Sequence, residues 1–509
     1  MPSLLGIDSG LTVTKAVIFD SDGTQLAVAR RRVTQFMPKA HYVERDMDEL
    51  WDATAGAILE AVSLSGRPAD DIKAVSVTAH GDGIYLSDRE NRPLGRAILS
   101  LDSRAGQIID RWEKDGVSER SLVLTGQVPH VSAPSALLAF IRENEPERFE
   151  RIGHIMSCKD WLTFCLTGIV GTDRTEASTS FTDVATQDYS DEALRLFGLE
   201  DVRYALPRVS RSDQVVGHIT PDAAQRTGLA GETAVVAGLH DVMASALGAG
   251  NYTQGTVALI AGTYSINETL SSEPRVDRRW FCRNGIAPGS WNNMSISPAS
   301  SANYEWFLET LCRAELADCA ATGKSIHAHL APELDAAMAR PSTLLFHPFL
   351  FGSPYGASAS ASFFGLGGWH DRGDLLRAVL EGIAFNHRIH VDSLGEGFVF
   401  DKASLAGGVS RNPAVAQMFA DVLGMPVTLT QTDEAAAWGA ALCAGSGVGI
   451  YAGPQSDPRD ISSIAKTYRP DSQRSAGMER RYQLFCEITT TMAPLWPKIG
   501  ALAQERSSN

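Results

Sequence analysis

Several things are missing from this 509-residue chain, and each absence narrows the reading. Its seven cysteines include no CxxC pair and are odd in number, so neither a disulfide framework nor a thiolate zinc site is supported. Reduced thiols are expected. The opening MPSLLGIDSG shows no basic segment followed by an apolar core, and no run approaches the roughly 18 apolar residues of a membrane span. A soluble, cytoplasmic protein without a membrane partner is therefore expected. Positive charge is scarce: a net charge of −15 and a pI near 5.3 argue against nucleic acid as a partner. They leave anionic small ligands open, since backbone amides and a bound cation hold phosphate even inside an acidic protein. Neither GxxxxGK[ST] nor a post-strand GxGxxG occurs, so the P-loop and Rossmann routes to nucleotide are unsupported.

What is present reads as α/β. Hydrophobic content of 44% with 21% charged residues is ordinary for a globular protein, and the length suggests two domains of about 200 to 250 residues. Residues 4–8, 13–20 and 25–29 read as an antiparallel meander, followed by a helix over 47–64 and a strand over 72–79. The second half repeats this scheme more faintly. Strands at 256–260 and 264–270 flank a glycine turn, then come a helix near 374–390, a strand at 403–406, a helix started by Pro413, a strand at 427–430 and a helix from 434. The last segment, after about 475, reads as a helix able to pack on either half. No low-complexity linker interrupts the chain.

Three strand-end turns carry candidate chemistry. Asp8, Gly10, Thr12, Thr14 and Lys15 combine a carboxylate, a tight turn, hydroxyls and a cation, which suits phosphate and a water-bridged magnesium ion. Ala261-Gly262-Thr263 offers a second backbone approach site. The run LAGGVSRNP (405–413) offers a third, with paired glycines and a helix-starting proline. Each also suits plain strand-to-helix packing. In GLHDVMASALGAG (238–250), Asp241 stands between a strand and a small-residue helix, where it reads either as a cap or as a catalytic group. His327 and His329, like His387 and His390, read as structural rather than metal-binding.

At these residues the chain resembles the FGGY family of carbohydrate kinases, within the actin-like ATPase superfamily. ASFFGL (361–366) through DLLRAVLE (374–381) fits the family's C-terminal signature, and KDWL (159–162), LTG (166–168), TD (172–173) and EAS (176–178) resemble further blocks. The N-terminal signature departs from the pattern, with Leu137 and Phe140 where lysine and tryptophan are usual, and Leu11 in place of a turn threonine.

The resemblance implies two RNase H-like domains with a central cleft: residues 1–248 holding the sugar, the first phosphate turn and the base, and residues 249–509 holding ATP. It implies ATP and Mg2+ as cofactors, with Asp8 at the metal and Gly10, Thr12, Thr14 and Lys15 at the first phosphate site. Gly262 and Thr263 would form the second, and Gly407, Gly408 and Asn412 would border the adenosine. Asp241 aligns with the family's base. His80, Gly81 and Asp102 fall in segments that line the sugar pocket; Arg104 reads as a partner there or of a nearby carboxylate, and His240 as orienting the base or touching the sugar. The partner is then a small-molecule sugar or polyol, and a homodimer stays open.

Within the family, ERDMDELW (44–51), PLGRAILS (93–100), NEPERF (144–149) and SSANYEWF (300–307) look like bacterial L-xylulose kinases. The implied reaction is L-xylulose to L-xylulose 5-phosphate. GDG (81–83), KDWL and MAPLW (492–496) are shared in look with erythritol kinases, so another polyol or pentulose is the alternative. A silent sugar or nucleotide sensor and an actin-like ATPase moving a protein partner are rivals of other classes. The presence of both Asp8 and Asp241 argues against the sensor, and the sugar-pocket segments against the motor.

Overall fold

The computed structural model describes residues 1–356, 358–408 and 412–504. The chain divides into two compact units. Unit 1 comprises Met1–Tyr252, Leu270–Asn293 and Thr432–Ser463; unit 2 comprises Thr253–Thr269, Met294–Gln431 and the chain from Ile464 onward. No helix among the described residues is long and apolar enough to cross a membrane.

Unit 1 is built on strands β1 (Ser3–Ser9), β2 (Val13–Asp20), β3 (Gln25–Arg32), β4 (Ile72–Ala79), β5 (Val215–His218) and β6 (Ala234–His240). Their order across the sheet is β5-β6-β4-β1-β2-β3. The first three pair antiparallel, as the meander expects, and β1, β4 and β6 run parallel. Parallel strands need both faces covered, which accounts for the apolar runs of β1 and β6. Helix α1 (Met47–Ser65) starts where Asp46 accepts the amides of Asp48 and Glu49, and it buries Met47, Leu50, Trp51 and Ile58 in the core beneath β1 and β2. Helix α2 (Cys158–Thr167) adds Trp161 and Leu162 to that core.

Helix α3 (Asp241–Gly248) leaves β6 without a linker and packs on helix Ala435–Gly447, which returns to unit 1 late in the chain. Their approach is backbone to backbone: a Cβ on Gly248 would lie 1.9 Å from the Ala435 carbonyl oxygen, and one on Gly439 2.0 Å from that of Ala244. The small residues of ASALGAG are therefore the condition of this contact.

Unit 2 repeats the plan. Of the seven strands of the second sheet, β7 (Thr256–Ala261), β8 (Ser265–Ser271), β9 (Trp291–Ser297), β10 (Lys402–Ala406), β11 (Val427–Thr430) and β12 (Ala465–Tyr468) follow the order β9-β8-β7-β10-β11-β12, and Phe281–Asn284 is the seventh, at the β9 edge. Strand β7 pairs antiparallel with β8 and parallel with β10, while β11 pairs parallel with β10. In each unit an antiparallel strand closes the far edge, β5 in one and β12 in the other.

Helix α4 (Arg372–Gly397) opens with a reciprocal capping box between Asp371 and Asp374. Its His387 and His390 are buried against hydroxyl and amide groups of unit 2: His387 on Asn267 (2.7 Å) and Ser300 (3.2 Å), His390 on Ser295 and Ser297 (2.8 Å each). These are satisfied core histidines, as the sequence suggests. Helix α5 (Pro413–Leu423) follows Asn412, whose side chain accepts the Ala414 amide. The late helix α6 (Ser472–Met492) belongs to unit 2, where Phe485 is fully buried and the Tyr482 hydroxyl donates to Asp392.

Candidate active site

The parallel register of unit 1 brings three of the sequence candidates to one edge. Ser9 and His240 both pair with Ala79, so Asp8, His80 and Asp241 stand at the C-terminal ends of three adjacent parallel strands. Open α/β sheets bind ligands at that edge.

Asp241 is the first residue of α3, and no side chain caps this helix end. Its carboxylate is thus not spent on helix amides, which removes the capping reading. It is 33% exposed, and one oxygen lies 3.1 Å from His240 Nδ1. Asp8 faces Lys15 across the β1–β2 ladder, with Lys15 Nζ 3.3 Å from Asp8 Oδ2 and 3.1 Å from Glu434 Oε2. Burial, and next to it the Asp241 charge, raise the Asp8 carboxyl above its ordinary range despite Lys15. Glu434, which also receives Arg30, carries no sequence signal; its role depends on the late return of the chain to unit 1.

The first turn is shaped from below. The Gly10 amide donates to the Val13 carbonyl at 2.9 Å, while buried Arg45 donates to the carbonyls of Gly10 and Leu11. Thr12 is exposed on the turn. Thr14 is not part of this surface: β2 alternation turns it inward, fully buried, with its hydroxyl 3.1 Å from Thr54 of α1. The expectation of a phosphate contact from Thr14 is corrected accordingly.

Asp102 is corrected for a different reason. Its carboxylate accepts from the Val43 amide (2.7 Å), the Arg104 amide (2.9 Å), and Arg104 Nε and Nη2 (2.9 and 2.8 Å), and its side chain has no exposed surface. No lone pair is left for a sugar. Arg104, which also reaches Glu44 at 2.8 Å, is thereby a partner of carboxylates.

The loop after β4 keeps its candidates together. His80 is buried, with Nε2 3.2 Å from the Tyr85 hydroxyl and Nδ1 3.4 Å from the Gly81 carbonyl. Burial, seconded by Arg45, lowers its pKa to about 4, so the ring is neutral. Gly81 makes room for His240, whose Nε2 would sit 1.8 Å from a Cβ there. Asp82 adopts a left-handed backbone, φ 57°, and accepts from Arg283 Nη2 at 3.0 Å with His130 Nε2 at 3.5 Å. Burial opposes its charge, but Arg283 and His130 hold the carboxyl far below the usual range. Arg283, His130 and Gln127 belong to no motif quoted from the sequence; only the strand Phe281–Asn284, folded back into unit 1, brings Arg283 here.

In unit 2, Gly262 and Thr263 follow β7, and the Gly262 carbonyl accepts the Ser301 amide at 2.9 Å. Gly407 follows β10 at φ 108°, where a Cβ would lie 2.3 Å from the Ala261 carbonyl oxygen, so the two turns share one sheet edge. Nothing stands within 4 Å of a Cβ at Gly408. Val409, Ser410 and Arg411 of the same run lie outside the described residues. Beside Asn412 is an apolar crevice lined by Tyr304, His327, Leu330, Leu334, Leu380 and Val415. The sequence offers no direct signal for it, because its walls come from four separated segments.

Among the described residues no three His, Cys, Asp or Glu side chains cluster as a self-contained metal cage. The Asp8 edge nevertheless suits a magnesium ion, which characteristically takes one or two carboxylates and completes its shell with water and substrate phosphate.

The N-terminal domain of the FGGY family of carbohydrate kinases matches residues 3–248, and its C-terminal domain residues 257–448. A probable L-xylulose kinase of Pasteurella multocida is 33% identical, covering 96% of this chain and 98% of its own. An L-xylulose/3-keto-L-gulonate kinase of Escherichia coli is 32% identical over 96% and 97%, and an erythritol kinase of Brucella abortus 28% over 98% of each. Among solved structures, a xylulose kinase from Rhodospirillum rubrum superposes with a TM-score of 0.84 at 27% identity, covering 97% of this chain and 99% of its own. With both domains matched in order and relatives similar along nearly their whole length, the chain belongs to the FGGY family of carbohydrate kinases and has their actin-like ATPase fold.

Proposed function

We propose that this kinase transfers the γ-phosphate of ATP to a terminal primary hydroxyl of a small keto sugar, with L-xylulose, giving L-xylulose 5-phosphate, as the substrate. The carrying observation is the pair Asp8 and Asp241 at the ends of the two parallel strands that flank β4, where the Asp241 charge helps to raise the Asp8 carboxyl. Two carboxylates there make chemical sense if one faces a cation and phosphate while the other faces the acceptor. The choice of L-xylulose over erythritol rests on relatives at 33% and 32% identity against 28%. The free thiols of all seven cysteines agree with a cytoplasmic setting.

In this reading Asp241 accepts the hydroxyl proton as the oxygen attacks phosphorus. His80, neutral and with a long 3.4 Å bond at Nδ1, donates to a sugar oxygen, while Asp82 and His130, both partly exposed, meet further hydroxyls. Asp8 would hold Mg2+, which when bound neutralises charge on the phosphate oxygens. The turn at Leu11 and Thr12, closed by the Gly10 amide on Val13, would receive phosphate with Lys15, as would the amides of Gly262 and Thr263. Gly407, Gly408 and Asn412 would border the adenosine.

The test is coupled ADP release over L-xylulose, D-xylulose, L- and D-ribulose, erythritol, threitol and glycerol. L-xylulose is expected to give the highest kcat/KM, and Asp241→Asn to lower it by about a hundredfold or more. A winning alditol would move the substrate to the polyols. Loss below about tenfold in the variant would remove Asp241 as base.

A further inference from the structure

His240 is buried beside the proposed base: its Nε2 is hydrogen-bonded, while its Nδ1 meets that base at ion-pair distance and finds no hydrogen-bond partner among the described residues. Nδ1 lies 3.1 Å from Asp241 Oδ1, and Nε2 lies 3.4 Å from Arg283 Nη1. A guanidinium can only donate. In the neutral ring, Nε2 therefore accepts from Arg283 and the proton sits on Nδ1; in the imidazolium both nitrogens carry protons, the Arg283 bond is lost, and the ion pair with Asp241 is what remains. Either charge state places a protonated nitrogen 3.1 Å from Asp241 Oδ1.

The ring is also prevented from swinging away. Arg283, itself buried, is fixed by Gln127 Oε1 at 2.9 Å and by Asp82 Oδ1 at 3.0 Å. On the other side the Gly81 backbone closes on Nε2 so tightly that no Cβ fits. The His240 backbone is anchored too, its amide donating to Thr175 Oγ1 at 2.9 Å.

The charged groups that act on the ring are Glu176, Asp241, Arg283 and Asp82. Burial alone would push His240 down, but Glu176 and Asp241 outweigh it and hold the ring up at about 9. Glu176 is buried, and its Oε1 finds no hydrogen-bond partner among the described residues.

We propose that His240 is a positioning residue: confined by the Gly81 backbone and Arg283, it sets the Nδ1 edge of its ring 3.1 Å from one oxygen of Asp241 and leaves the other to receive the sugar hydroxyl. This rests on the reading of Asp241 as base and decides the role of His240 in favour of orientation rather than sugar contact.

The test compares His240→Ala, His240→Asn and His240→Gln, with folding checked by thermal unfolding. An asparagine amide nitrogen falls close to the position of Nδ1, whereas that of glutamine reaches one bond further. The alanine variant is expected to lose about ten- to a hundredfold in kcat, as partners that orient functional groups do, with the KM for ATP unchanged. Asparagine should recover most of that loss and glutamine little. Arg283→Lys, which keeps charge but not the fork, should lower kcat without touching the base.

Equal impairment of the asparagine, glutamine and alanine variants would overturn the proposal. So would a raised sugar KM at unchanged kcat in the alanine variant. Asp241→Asn separates the two readings: if it stays active, the base assignment fails, and if it is inactive while His240→Ala keeps full kcat, only the positioning role fails.

Discussion

A six-strand order common to both sheets produces two edges furnished in opposite ways. At the C-terminal edge of the unit 1 sheet the candidates are charged side chains locked to one another: Asp8 to Lys15 and Glu434, Asp82 to Arg283, His240 between Arg283 and Asp241. At the matching edge of unit 2 they are the main-chain turns at Gly262–Thr263 and Gly407–Gly408, with an apolar crevice beside Asn412. On the proposed reading, the unit 1 edge carries proton removal together with the first phosphate turn, and the unit 2 edge binds the remaining phosphate and the base. Proton removal needs a titratable group held in one geometry, whereas phosphate and base binding can be done by amides and apolar walls. Glycine consequently means different things at the two edges.

The largest expected effect breaks that contrast directly. Gly81→Ala forces His240 Nε2 away from a Cβ that would otherwise lie 1.8 Å from it, displacing the residue that faces Asp241. Displacements of this size near reacting groups cost about a hundredfold, so kcat/KM for the sugar should fall by at least that, with the KM for ATP steady. Gly408→Ala, with no neighbour within 4 Å, should leave thermal stability and sugar KM unchanged and raise the KM for ATP by roughly tenfold through the lost close approach. Steady-state kinetics with each substrate varied checks both. If the two variants behave alike, the edges do not divide the work.

A second contrast lies in proton linkage. In unit 2, burial lowers His347 to about 4, His387 to about 3 and His390 to about 4. Histidines depressed in the folded state contribute stability above pH 6.5, their ordinary value, and lose it as pH falls toward 4. In unit 1, His240 is held up at about 9 and burial pushes Glu176 up to about 8, so their contributions are present at acid pH and fade as pH rises through those values. His80, lowered to about 4, and His154, lowered by burial, are unit 1 histidines that behave like the unit 2 set. Hydrogen exchange, corrected for intrinsic rate, should therefore show α4 losing protection between pH 6.5 and 4.5 before β6 does. His390→Gln should flatten the unit 2 slope by about 1.4 kcal/mol per pH unit, one proton's worth. Equal loss in both units across that window would contradict the assignment.

How far these edges were legible follows from what each signal depends on. The meander, α1 and the strand that ends at Ala79 could be read because alternation and helical period are local, and the same holds for β7, β8 and β10. Asp8 and Asp241 were legible because both follow apolar strands and introduce turns or small-residue helices. Glu434, Arg283 and Gln127 were not, because their positions depend on segments distant in sequence returning to unit 1. Asp102 illustrates a subtler limit: its motif is visible, but whether a carboxylate faces a ligand or an arginine two residues away is decided by the turn that aims Arg104 back at it.

Thr14 offers the smallest effect and tests the contrast at its most local. On β2 it lies between two residues of the opposite face, and its hydroxyl is spent on Thr54 inside the α1 interface rather than on the turn. Thr14→Val strands one buried hydroxyl at a cost of about 1 kcal/mol, which thermal unfolding resolves, and should change the KM for ATP by less than about twofold. Adding Thr54→Val removes the stranded partner and should restore part of the stability, since replacing both members of a buried pair costs less than removing one. A tenfold rise in the KM for ATP with Thr14→Val would return this residue to the phosphate turn and would mean that even adjacent β2 positions do not divide between core and site.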